Sequence, residues 1–125
     1  MGQTVLIADD DALNLEMLVG LVESLGAAAL TAADGLAACA RAAEARPDLI
    51  LLDGDMPGLS GYEVCQKLRA DPAFQNTPII LLTASVQMGQ RRKALNAGAD
   101  DFFLKPFDLL ALRERVAEAL GLTPG

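Results

Sequence analysis

Residues 50–58 read ILLDGDMPG. Three large aliphatics run directly into Asp53, Gly54 and Asp55, and a Met-Pro-Gly turn follows. With Leu49, the run predicts a strand over 49–53. No polar residue alternates with the apolar ones, so both faces of that strand are expected to be covered. A carboxylate at the edge of an apolar core is costly unless something pairs with it. Either the strand surfaces at Asp53, or the acids there hold a cation or take part in chemistry.

Similar runs recur along the chain. TVLIA at 4–8 and PIILLT at 78–83 read as buried strands, and residues 101–104 as a shorter one. AAALTA at 27–32 is a weaker strand, because alanine has little strand preference. Helical stretches separate them, at 11–25, 34–46, 61–70, 86–97 and 107–120. Leu15, Leu18, Val22 and Leu25 stripe the first helix, and Leu109, Leu112, Val116 and Leu120 the last. Gly26, Pro47, Asp71-Pro72 and Gly98 supply the stops. Five strands alternating with five helices predict an α/β domain with a parallel sheet and helices on both faces.

The 125 residues suit one domain with a single good core. At 52% hydrophobic residues the chain is not disordered. A net charge of −7 disfavours direct nucleic-acid binding. The longest apolar stretches are strand-sized, so neither a membrane span nor a secretory leader is expected, and a cytoplasmic location follows. There is no histidine, which removes His-based metal sites and Ser-His or Cys-His catalysis. Cys39 and Cys65 fall in helical segments without CxxC spacing and read as reduced packing thiols. Arg91-Arg92-Lys93 stands out in an acidic protein and reads as a solvated helix face.

In a parallel sheet of this type, the functional crevice lies outside the carboxyl ends of the strands. Strand one ends in Asp9-Asp10-Asp11, strand three in Asp53, strand four in Thr83 and strand five in Lys105-Pro106. Each residue alone has an ordinary reading: a helix cap for Asp10 or Asp11, a solvated strand end for Asp53, a cap or strand residue for Thr83, a surface lysine for Lys105. Asp11 is assigned that capping role. The conjunction of four strand ends argues for one site. Converging carboxylates resist joint ionisation, and a hard dication relieves them. Mg²⁺, with oxygen ligands and retained waters, fits such a set. Asp53 is then placed as a carboxylate nucleophile toward a phosphoryl group, with Lys105 and Thr83 stabilising its oxygens.

With IADDD at 7–11, LLDGDMPGLSG at 51–61, ILLTA at 80–84 and FFLKPF at 102–107, the sequence resembles the receiver domain of two-component response regulators. The resemblance covers about residues 4–120 of a single domain spanning 1–125. It implies a flavodoxin-like sheet of order 2-1-3-4-5. It implies Asp53 as phosphoacceptor, Asp10 as direct Mg²⁺ ligand, Asp9 acting largely through water, and the Asp55 backbone carbonyl as a further ligand beside Asp53. Thr83 becomes the switch hydroxyl, Lys105 the phosphate-pairing lysine, and the Lys105-Pro106 bond is expected to be cis. The implied partners are a sensor histidine kinase or histidine phosphotransfer protein and a downstream output domain or protein. Phosphoryl transfer from the partner's phosphohistidine would switch the surface of the fourth helix, fifth strand and fifth helix. Such a domain catalyses only its own phosphorylation and dephosphorylation and is not otherwise an enzyme. The switch aromatic, often tyrosine, falls on Phe102, which has no hydroxyl; a packing role and a switch role both stay open for it.

Two rival readings remain. DGD at 53–55 after an aliphatic strand is similar to the Asp-x-Asp of haloacid-dehalogenase-type phosphatases. Met56 stands where that pattern wants Thr or Val, the extra acids lie upstream, and the chain leaves no room for a cap domain. A receiver-like interaction module without phosphoryl chemistry is opposed by the complete set of Asp9, Asp10, Asp53, Thr83 and Lys105.

Overall fold

A computed structural model describes residues 2–84 and 89–122, excepting the side chains of Gln90 and Arg91. The strands are β1 (Thr4–Ala8), β2 (Ala28–Ala32), β3 (Leu49–Asp53), β4 (Ile79–Thr83) and β5 (Asp101–Leu104). The helices are α1 (Ala12–Ser24), α2 (Gly35–Ala45), α3 (Gly61–Arg69), α4 (Gln90–Asn96) and α5 (Leu109–Ala119). All four strand pairings are parallel, in the order β2-β1-β3-β4-β5. Positions 86–88 of the expected helix over 86–97 and positions 123–125 lie outside the described residues.

The strand period of two sorts the core into two layers. Leu6, Ile50, Leu52, Ile79 and Leu81 point to the side covered by α2, α3 and α4, where Ala38, Val64, Cys65, Leu68 and Ala94 meet them. Val5, Ile7, Leu49, Leu51, Ile80 and Leu82 point to the side covered by α1 and α5, against Leu18, Val22, Leu112 and Val116. β3 and β4 are buried at every residue, as their unbroken aliphatic runs require, while the alanine-rich β2 lies at the sheet edge and is only partly covered.

Apart from α4, the helix starts follow their capping residues. Asp11 accepts from the Leu13 amide at 2.9 Å, Asp34 from Ala37 at 2.8 Å, and Asp108 from Leu110 at 2.9 Å. Ser60 and Glu63 form a reciprocal capping box at α3. Helix boundaries shift by a residue or two from the periodic reading because these caps stand outside the helix proper. A short 3-10 turn at Pro72–Phe74, which the apolar periodicity did not signal, is capped by Asp71. Arg69 reaches over it, donating to the carbonyls of Gly98, Phe74 and Thr77 and pairing with Asp100 at 2.7 Å. Among the described residues no helix is long and apolar enough to cross a membrane.

Cys65 is buried and Cys39 half-buried, and neither is disulfide-bonded. Burial pushes the Cys65 thiol up to about 11 and raises that of Cys39. Both remain protonated packing groups.

Candidate phosphoacceptor and cation site

The site is assembled by the ends of β1, β3, β4 and β5. Register places Ala8 beside Leu52, Asp53 beside Leu82, and Thr83 beside Leu104, so the residues following each strand share one rim. Asp9 follows β1 and is fully buried; Asp53 closes β3 with only 4% of its surface exposed. Asp10, next to Asp9, is exposed. One carboxylate oxygen from each of Asp9, Asp10 and Asp53 lies within 4.8 Å of the others.

Lys105 Nζ answers two of these acids, at 3.3 Å from Asp9 Oδ2 and 3.3 Å from Asp53 Oδ1. Its peptide bond to Pro106 is cis, as expected. Asp9 Oδ1 also accepts from the Asp11 amide at 2.9 Å, and Asp53 Oδ1 from the Asp55 amide at 3.0 Å. Burial pushes the Asp53 carboxyl up to about 6; the Asp55 amide opposes this, Asp9 adds to it, and Lys105 opposes it. Burial disfavours the Lys105 charge, but Asp53 and Asp9 outweigh it and hold the ammonium pKa above its ordinary value. One ammonium thus serves two buried carboxylates, with a third acid exposed beside them. The donor set is all oxygen, without thiolate or imidazole, and its negative charge exceeds what Lys105 neutralises. Those features fit a hard dication such as Mg²⁺.

Two glycines permit the tight turn after β3. A Cβ on Gly61 would collide with the Asp53 carbonyl, so α3 starts in direct backbone contact with the end of β3. A Cβ on Gly54 would lie 2.9 Å from Tyr62 Cε2 and 3.3 Å from Thr83 Cβ. That close approach seats the Tyr62 ring against the turn, with 5% of the residue exposed.

Thr83 is fully buried and donates to Asp55 Oδ2 at 3.0 Å; the Ala84 amide reaches the same oxygen at 3.4 Å. The Asp55 side chain therefore reaches back to Thr83, although the residue itself is exposed. Phe102 sits on the neighbouring edge strand, half-buried and packed against the α2–α3–α4 layer. Tyr62 is the residue that sequence reasoning missed. Burial raises its phenol pKa, a hydrogen bond with the Thr83 side chain opposes this, and Asp55 and Asp53 add to it. Its core-facing place was legible, since Tyr62, Cys65 and Leu68 recur at a spacing of three residues; its contact with Thr83, on another element, was not. Lys93 Nζ lies 4.4 Å from the centre of the Tyr62 ring, so at least one member of the basic cluster on α4 leans on an aromatic face.

A family model for the response regulator receiver domain matches residues 5–117. The chain is 40% identical over 116 residues to the response regulator PleD of Caulobacter vibrioides, covering 93% of this chain and 26% of PleD. It is 40% identical over 120 residues to the DNA-binding response regulator MtrA of Mycobacterium tuberculosis, covering 96% of this chain and 51% of that protein. The chain thus spans between a quarter and about half of these relatives. Among solved structures, it resembles the chemotaxis protein CheY4 of Vibrio cholerae with a TM-score of 0.88 and 29% identity, covering 95% of this chain and 99% of that one. It also resembles the receiver domain of the sensor histidine kinase PA1611 of Pseudomonas aeruginosa, with a TM-score of 0.87 and 34% identity, covering 97% and 99%. That structure has a magnesium ion coordinated in its active-site cleft.

Proposed function

The chain belongs to the response regulator receiver-domain family, and from that premise we propose that Asp53 accepts a phosphoryl group from a partner phosphohistidine in a Mg²⁺-dependent reaction. The observation that carries this reading is the buried Asp53 carboxylate, with Lys105 Nζ 3.3 Å away and two more acids converging on it. An Asp53 oxygen forms the new P–O bond as the P–N bond to the partner's imidazole breaks. With its pKa near 6, Asp53 is mostly ionised at neutral pH and available as nucleophile. Lys105 offers positive charge to the transferring group, and Thr83 a hydroxyl donor. In this reading Asp10, Asp53 and the Asp55 carbonyl hold Mg²⁺, with Asp9 acting largely through water. When bound, the ion neutralises charge on the phosphoryl oxygens.

The domain turns over only its own phosphoryl group and is otherwise not an enzyme. Its partners are a sensor histidine kinase or histidine phosphotransfer protein, and an output domain or protein, in the cytoplasm. The direct test is intact mass after incubation with acetyl phosphate and Mg²⁺. A gain of about 80 Da, one phosphoryl group, that is abolished by chelation is expected; no gain overturns the proposal.

Mg²⁺ should also stabilise the unphosphorylated protein, since it relieves repulsion among Asp9, Asp10 and Asp53. Linkage gives about 1.4 kcal/mol at roughly ten times the dissociation constant. Thermal melts with and without millimolar Mg²⁺ read it, and Asp10→Ala should lose most of the response.

The Asp55 side chain sets the lifetime of the phosphoryl group in the same reading. Once Thr83 turns toward the phosphoryl oxygens, Asp55 Oδ2 is left to orient a water against the acyl phosphate. Both Asp55→Asn and Asp55→Ala should slow decay, by less than the roughly 10²-fold that general-base help can reach. Decay of the phosphorylated protein at saturating Mg²⁺ measures it, and a faster decay would show that the acid shields the group instead.

Phosphorylation switches the α4–β5–α5 surface by drawing Thr83 inward and repacking Phe102 behind it. The phosphoryl group biases two existing states rather than building a new one. Structures with and without beryllofluoride, a phosphoryl mimic, should show a changed Thr83 rotamer; an unchanged rotamer and α4 surface would refute the switch.

A further inference from the structure

The Tyr62 ring occupies a position between the reacting carboxylate and α4. Its edge lies against Gly54, one residue past Asp53, at a distance that a single Cβ would close to 2.9 Å. Its phenol is hydrogen-bonded with the Thr83 side chain, which also donates to Asp55 Oδ2. Its ring carries Lys93 Nζ 4.4 Å from the centroid. Lys93 belongs to α4, an element of seven described residues whose N-cap is Gly89, at φ 87°, with no side-chain cap bond. A helix so short and so thinly capped is held by its packing partners and responds when one of them moves. Phe102 is also packed on this layer, but it carries no hydroxyl that could sense which way Thr83 points.

We propose that Tyr62 relays the state of Thr83 to α4. In the unphosphorylated protein the phenol and Asp55 together hold the Thr83 hydroxyl, and the ring seats Lys93. A phosphoryl group on Asp53 competes for that hydroxyl, releases the phenol and shifts the ring under Lys93. The relay rests on the phosphoacceptor reading above and adds to it a specific carrier on α3.

The chain contains one tyrosine and no tryptophan. Protein grown with 3-fluorotyrosine therefore gives a single ring signal in fluorine NMR, and beryllofluoride bound at the site gives its own signal in the same spectrum. With Mg²⁺ and beryllofluoride, the tyrosine resonance should shift as the bound-fluoride signal saturates. In Thr83→Val, compared at saturation of its own bound fluoride, that shift should be lost. In unlabelled Tyr62→Phe, which keeps the ring and drops the hydroxyl, the competing bond is gone. Beryllofluoride should then bind about 3- to 10-fold more tightly, the range expected for one neutral hydrogen bond. In Lys93→Met the tyrosine shift should persist while the accompanying shift of the Ala94 amide shrinks. A purely structural role for Tyr62 would lower stability without changing beryllofluoride affinity. Bound fluoride with an unmoved tyrosine signal, or an equal shift in Thr83→Val, overturns the relay alone. Absence of any bound fluoride in the wild type overturns the phosphoacceptor reading and the relay with it.

Discussion

Asp53→Asn should abolish the phosphoryl adduct and, in the absence of divalent cations, stabilise the fold. The first effect follows from the proposed nucleophile: an amide has no carboxylate oxygen to form the acyl phosphate. An undiminished adduct in the mutant would place the chemistry elsewhere. The second effect follows from burial. The folded-state pKa of Asp53 is raised from 3.8 to about 6, so the native state holds the proton more tightly than the unfolded chain does. Stability therefore falls as pH rises through that interval, and the penalty is fully present above about 6. A shift of this size corresponds to at most about 3 kcal/mol. The asparagine can still accept from the Asp55 amide but forfeits the ion pair with Lys105, so the net gain at neutral pH should be about 1–2 kcal/mol. Urea melts of both proteins in chelator should diverge as pH rises from 4 to 7 (about 1.36 kcal/mol per unit of pKa shift sets the scale). A constant gap across that range would mean that Asp53 is not held under electrostatic strain.

Lys105→Met should produce the opposite and larger effect. Methionine keeps the apolar stem but leaves Asp9 and Asp53, both buried, without their shared ammonium. Breaking a buried pair from one side typically costs about 3–5 kcal/mol. Lys105 is 19% exposed in its side chain, which screens the pair, so the lower end of that range, about 3 kcal/mol, is expected. Without the ammonium the Asp53 pKa climbs further, so the deficit should shrink as pH falls and Asp53 protonates. Mg²⁺ should recover part of it for the same reason. Adding Asp53→Asn to Lys105→Met should restore much of the lost stability, a non-additivity that a double-mutant cycle reads directly. If the two changes simply add, Lys105 acts through packing of its stem rather than through its charge. Phosphoryl uptake by Lys105→Met should also fall, since no other described cation stands at Asp53.

Much of this was legible in the sequence because it rests on local rules. Buried parallel strands announce themselves as unbroken aliphatic runs, and β1, β3 and β4 lie where those runs lie; the shorter, half-covered β5 also falls at 101–104 as expected. Acids and a lysine at the ends of such strands point to one rim once the sheet is parallel, because every strand then delivers its carboxyl end to the same edge. Asp9, Asp10, Asp53 and Lys105 meet there as the spacing required. The order 2-1-3-4-5 came from family resemblance, and the register bears it out.

What the tertiary structure alone decided concerns contacts between side chains far apart in the chain. Periodicity assigns a residue to a face of its own element, but it does not say which atom of another element meets it. So Tyr62 could be read as core, whereas its bond with Thr83 and its place beneath Lys93 depend on how α3 and α4 pack on β4. Asp55 stays exposed at the turn after β3, but its bond with Thr83, at the end of another strand, was not legible in the sequence. Nothing in the sequence marks Arg69, in the last turn of α3, and only the folded loops gather the Phe74, Thr77 and Gly98 carbonyls around it. Local pattern therefore determined which residues form the sheet and reach its functional edge. Burial and packing determined which of them hold one another there, and with what charge.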